Sequence, residues 1–148
     1  MSVPGPFVID ASVFLNAFNP RETGSEVSKT LLERLKSRAV PIITPFLLLP
    51  ETAAAISRGQ NDPTLASQFA TTLQRYPYLI LISLDRILGQ QALEIAAAFR
   101  LRGSDAVYAA VAQRFACSLI TLDREQHDRV ATLLSTHYPI DVVEPLGR

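Results

Sequence analysis

The 148-residue chain has no tryptophan, one cysteine, one methionine and two histidines. A lone cysteine, Cys117, excludes a disulfide framework and fits a reducing compartment. His127 and His137 are ten residues apart, with no Cys or His partner at ligand spacing, which argues against a zinc site. No apolar run approaches the roughly 20 residues needed to span a bilayer. Met1 to Pro6 lacks a basic stretch followed by an apolar block, so no secretory leader is expected and the cytoplasm is the expected location. Neither GxGxxG nor a P-loop occurs, which weakens a dinucleotide or NTP reading. Ser12 is not framed by Gly-x-Ser-x-Gly, so no nucleophile elbow is expected there. Formal net charge is zero, so no global basic field announces nucleic acid.

What is present describes a globular α/β domain. Apolar residues make up 48% and charged residues 19%, a composition able to bury a core, and residues 1–148 are read as one domain. Twelve of the fourteen cations are arginine, the side chain that pairs bidentately with phosphate. Phe7-Val8-Ile9 reads as a buried parallel strand that ends in Asp10. Val40–Thr44, Tyr78–Ile82, Ser118–Thr121 and Ile140–Val143 read as four further strands.

Between the strands lie helical patterns. Val13–Phe18 is short, and Ser25–Lys36 follows with Ser25 as its cap. A third helix is expected to start at Pro45, capped by Thr44 and kinked or restarted by Pro50. Asp62-Pro63 opens a fourth, with Leu65, Phe69, Thr72 and Leu73 inward. Asp85–Phe99, a helix opened by Ser104-Asp105, and Arg124–Ser135 complete the set. Strand–helix alternation argues a three-layer α/β/α sandwich around a central parallel sheet of about five strands, with two helical hairpins interrupting the alternation.

Four acids stand where packing alone does not ask for one. Asp10 and Asp123 each end a parallel strand, where open α/β sheets place their ligands. Asp105 lies in the first turn of a helix capped by Ser104, and Glu51 interrupts a strongly apolar one. Each has an ordinary alternative: Asp10, Asp105 and Asp123 can serve helix N-termini, and Glu51 can be a partly exposed helix residue. Together they can share a hard divalent cation, whose remaining waters suit in-line hydrolysis of a phosphodiester. Asp128 reads as a helix-surface acid, with a fifth ligand as the alternative.

The ordered set Val8-Ile9-Asp10-Ala11-Ser12, Leu49-Pro50-Glu51, Gly103-Ser104-Asp105-Ala106 and Leu119-Ile120-Thr121-Leu122-Asp123 resembles the PIN-domain ribonucleases, most nearly the VapC-like toxins of type II toxin–antitoxin pairs. The resemblance covers nearly the whole chain. It implies a PIN-like fold and cleavage of RNA with Mg²⁺ or Mn²⁺ held by Asp10, Glu51, Asp105 and Asp123. Ser12 and Thr121 match the hydroxyl residues that support these acids. It further implies a homodimer and a cognate antitoxin that inhibits the site. Many relatives carry a further aspartate two residues after the last acid; Glu125 stands there in this chain. Arg58, Arg102 and Arg124, each near an acid, are candidates for RNA phosphate contacts, with solvated surface as the alternative.

Two rivals remain from the sequence. One is a PIN-like module that binds RNA or protein and does not cut. The other is a phosphoacceptor receiver domain, which needs paired acids near its first strand and a late lysine. Asp10 stands singly and no lysine follows Lys36.

Overall fold

Phe7, Val8 and Ile9 are fully buried and form the central strand of the sheet, β1 (Phe7–Ile9). The structure is a computed structural model that describes residues 5–147. The leader expectation falls mainly on residues 1–4, outside the described ones. Beside β1 lie β2 (Ile42–Pro45) and β4 (Ser118–Ile120), flanked by β3 (Leu79–Ile82) and β5 (Thr136–His137). The order is β3-β2-β1-β4-β5, with every pairing parallel. Apolar residues on both faces of β1 and β4 are the mark of a parallel sheet covered by helices.

The helices are α1 (Ala11–Phe18), α2 (Ser25–Ser37), α3 (Leu48–Gln60), α4 (Pro63–Gln74), α5 (Arg86–Phe99), α6 (Gly103–Arg114), α7 (Arg124–Arg129) and α8 (Pro139–Leu146). Three helix pairs, α1–α2, α3–α4 and α5–α6, interrupt the alternation; two hairpins are expected from the sequence, although the helices read there already fall into three such pairs. Helix α6 packs on β1, β2 and β4, and Asp105 to Ala112 are all buried. Its alanines, Ala106, Ala109, Ala110 and Ala112, let the backbone approach the sheet closely, so this helix has no solvent face along that stretch.

Several boundaries differ from the sequence reading. Ile140–Val143 is not a strand; it lies in α8, started by Pro139 and by an Asp141 carboxylate that accepts from the Tyr138 amide at 2.9 Å. Val142, Val143 and Leu146 are buried from that helix, so β-branched composition yielded to packing. The last strand is Thr136–His137, because α7 ends at Arg129 and not at Ser135. Pro45 belongs to β2, and Thr44 donates to the Ile9 carbonyl at 3.2 Å in place of capping a helix. Helix α3 starts at Leu48, so Pro50 sits in a first turn that lacks amide partners anyway. Gly24, at φ 83°, precedes α2 in the left-handed region, and Ser25 is its first helical residue. Arg102, and not Ser104, occupies the cap position of α6. Thr72 is exposed, while Ala66 and Leu73 are the buried residues of α4.

Candidate active site

The sheet changes direction between β1 and β4. From β1 the chain moves outward to β2 and β3, then returns to β4 on the opposite side. Open α/β sheets bind ligands beyond the carboxyl ends of the strands at such a switch point. Ile9 and Ile120 are in register there, so Asp10 and Thr121, the next residues of each strand, emerge side by side. Asp123 follows Thr121 and caps α7. Asp105 and Glu51 reach the same region from the first turns of α6 and α3.

Asp10 is 6% exposed, and three donors converge on its Oδ2. Ser12 gives its hydroxyl at 2.6 Å and its amide at 3.3 Å. Thr121 Oγ1 stands at 3.1 Å from Oδ2 and at 3.0 Å from Gln126 Oε1. That hydroxyl has one proton for two acceptors, so it is shared between them. It also accepts the Asp123 amide at 3.0 Å, and Ser12 Oγ accepts the Leu122 amide at 3.1 Å. The loop after β4 is thus tied to the start of α1 through the two hydroxyl residues. Gln126, fully buried, adds a link from its Nε2 to the Asp105 carbonyl at 3.4 Å.

The outer acids are held differently. Arg102 Nε donates to Asp105 Oδ2 at 3.1 Å, and its Nη2 donates to Asp123 Oδ2 at 2.9 Å. One guanidinium fork therefore spans both carboxylates, with 72% of its side chain exposed. Glu51 accepts from the Tyr108 hydroxyl at 2.7 Å.

Burial is the leading cause that raises the Asp10, Glu51 and Asp105 carboxyls above the usual carboxylate range. Ser12 and Thr121 oppose it at Asp10, Tyr108 at Glu51 and Arg102 at Asp105. Like charge adds to it: Asp10 and Asp105 both raise Glu51, and Asp10 and Asp123 both raise Asp105. These mutual effects place the four carboxylates in one electrostatic neighbourhood.

Among the described residues, no three His, Cys, Asp or Glu side chains converge as a ready-made metal cage. Each site acid instead turns to a donor of the chain: hydroxyls for Asp10, a phenol for Glu51, a guanidinium for Asp105 and Asp123. The donor set still fits a hard divalent cation, since it is all carboxylate oxygen and carries more negative charge than Arg102 offsets.

The remaining candidates fall around this centre. Glu125 and Arg129 form an ion pair on exposed positions of α7. Asp128 bonds His127 at 2.9 Å, and the His127 ring stacks on Tyr138 at 4.1 Å. Arg124, exposed, follows Asp123 at the start of α7. Arg58 lines, together with Glu51, a groove of about 410 Å³ between α1 and α3, walled by Ala11, Leu15, Leu47 and Ala54. The sequence reading singled out neither Gln126 nor Tyr108. Gln126 had a signal, because it stands three residues after the cap Asp123 in a capping-box pattern. Tyr108 had only its spacing of three from Asp105, which puts both on one face of α6.

Solved structures of similar shape include a toxin and toxin–antitoxin complexes. One is VapC20 of Mycobacterium tuberculosis, a sarcin–ricin loop cleaving toxin (19% identity, TM-score 0.69, covering 87% of this chain and 96% of that one). Another is VapBC2 from Rickettsia felis bound to a DNA fragment from its promoter (13%, 0.68, 89% and 97%). A third is a toxin–antitoxin complex from Klebsiella pneumoniae (17%, 0.65, 90% and 98%). At these identities the likeness is one of fold. No curated protein matches the chain in sequence. The PIN domain matches residues 7–133, which is most of the chain and includes all four acids, and the protein belongs to the PIN domain family.

Proposed function

We propose that this PIN domain is a metal-dependent endoribonuclease acting as the toxin of a VapBC-type toxin–antitoxin pair. The observation that carries the reading is the set of four carboxylates at the β1/β4 switch point, three of them raised by burial and two of these, Glu51 and Asp105, also by neighbouring acids. A site that concentrates uncompensated negative charge beyond strand ends is suited to a cation and, through it, to an anionic substrate. Asp10, Glu51, Asp105 and Asp123 would hold Mg²⁺ or Mn²⁺. Such an ion supplies Lewis acidity toward a phosphodiester and a water of lowered pKa.

The chain's own part is positioning. Ser12 and Thr121 fix the Asp10 carboxylate without neutralising it, and Asp123 is fixed through its cap bond to the Gln126 amide at 3.1 Å. Arg102 holds Asp105 and Asp123, and its largely exposed guanidinium, with those of Arg58 and Arg124, would be available for contacting a phosphate. The solved relatives that are toxin–antitoxin complexes support an antitoxin as protein partner. A homodimer and a cytoplasmic location belong to the same reading. No helix among the described residues is long and apolar enough to cross a membrane.

The test is cleavage of a mixed RNA pool with Mn²⁺, Mg²⁺ or EDTA, wild type against Asp105→Asn. Cutting that requires metal and disappears in the variant is the expected result. The second reading, a PIN-like module that binds without cutting, is favoured by the lack of a preformed metal cage among the described residues. Folded wild-type protein that binds RNA yet neither takes up Mn²⁺ nor cuts would establish it.

A further inference from the structure

Helix α6 brings two functional groups to the site, and only one of them is an acid. Asp105 and Tyr108 are three residues apart, so they share a face of the helix. Tyr108 is the largest of the fully buried side chains, with its ring packed into the core. Its hydroxyl leaves that apolar surrounding to donate to Glu51 Oε1 at 2.7 Å, across 57 positions of sequence. A buried tyrosine needs an acceptor for its hydroxyl. Here the acceptor is a half-buried carboxylate of the site.

Glu51 has three side-chain torsions, and α3 has no side-chain cap at its start to organise its first turn. Without a tether the carboxylate would sample several rotamers, at a cost in order whenever a ligand needs one of them. The phenol provides that tether from a ring with two torsions, both fixed by packing. Asp10 has two hydroxyls for the same purpose, and Asp105 and Asp123 have Arg102. The side-chain donor to Glu51 among the described residues is Tyr108.

We infer that Tyr108 is a positioning residue for the proposed metal centre: its buried hydroxyl holds Glu51 in the orientation in which that carboxylate serves the cation. This rests on the nuclease reading above. Phenylalanine keeps the ring and its packing, and the carboxylate it releases is half-exposed and can be solvated. The hydroxyl is therefore expected to matter little for folding and much for the ion.

The experiment compares the full-length wild type, Tyr108→Phe, Glu51→Gln and the double variant. Mn²⁺ binding is followed by calorimetry, melting in EDTA, and RNA cleavage at saturating Mn²⁺. Tyr108→Phe is expected to melt within a few degrees of wild type and to bind Mn²⁺ roughly 10-fold more weakly. Its kcat should fall by a similar factor, with KM for RNA nearly unchanged. The double variant should match Glu51→Gln alone, because the hydroxyl acts through that carboxylate. Unchanged Mn²⁺ affinity in Tyr108→Phe, effects that add in full, or a melt lowered like that of a core cavity variant would each overturn the proposal and leave the nuclease reading standing. A folded wild type that neither binds Mn²⁺ nor cuts RNA removes both.

Discussion

The inner and outer halves of the acid cluster are held by different chemistry. Asp10, 6% exposed, is oriented by the hydroxyls of Ser12 and Thr121, neutral donors that leave its charge in place. Asp105 and Asp123 share the guanidinium of Arg102, which orients and neutralises at once and is largely exposed. The inner half therefore keeps its need for a cation while remaining rigid. The outer half has a cation already, one that solvent can draw away and that a metal can displace. Arg102 is itself largely exposed, so solvent competes with the carboxylates for its guanidinium.

The largest effect should come from the inner half. Asp10→Asn is expected to lower RNA cleavage at least about 100-fold, roughly 2.7 kcal/mol of transition-state stabilisation. Asparagine still caps α1, so the fold should persist. Because burial raises the Asp10 pKa in the folded state, the stability linked to that group is fully present only below its ordinary value of 3.8 and is lost as pH rises through the raised one. Metal-free Asp10→Asn should thus melt above wild type at neutral pH, and the gap should close toward pH 4. A variant that melts lower at neutral pH, as a core truncation does, would show that Asp10 is a structural cap and break the comparison.

Thr121→Val comes next. It removes a buried donor to Asp10 and the acceptor of the Asp123 amide, with an expected loss of about 1–3 kcal/mol in denaturant unfolding. Activity should fall with it, since both halves meet at that hydroxyl. Stability equal to wild type would mean that the halves are independent.

Acidification offers a third test, by Mn²⁺ titration at several pH values. Asp10, Glu51 and Asp105 all have raised pKa values, so protons should compete with the metal at higher pH than for ordinary carboxylates. Affinity should weaken as pH falls through those raised values. The smallest effect is assigned to Arg102→Ala. Mn²⁺ affinity should rise a few-fold while the melting temperature in EDTA drops slightly, because the internal cation is gone. Weaker Mn²⁺ binding in that variant would show that Arg102 orders the acids and does not compete for them.

Local pattern determined much of this molecule. Phe7-Val8-Ile9 could be little other than a buried strand, and Asp62-Pro63 and Asp85 started their helices where cap chemistry puts them. The four acids were legible because an acid at a strand end or inside an apolar helix conflicts with its neighbours. Asp10 and Asp123 then proved to be helix caps as well as members of the acid cluster, so the ordinary reading of each does not exclude the proposed one. Tertiary structure decided the rest. Ile140–Val143 is helical because α8 buries Val142, Val143 and Leu146, a gain that strand propensity could not reveal. Which donor meets which acid was equally hidden. Tyr108 to Glu51 spans 57 residues and Thr121 to Asp10 spans 111, and such contacts arise from strand register and helix packing, which no short stretch encodes.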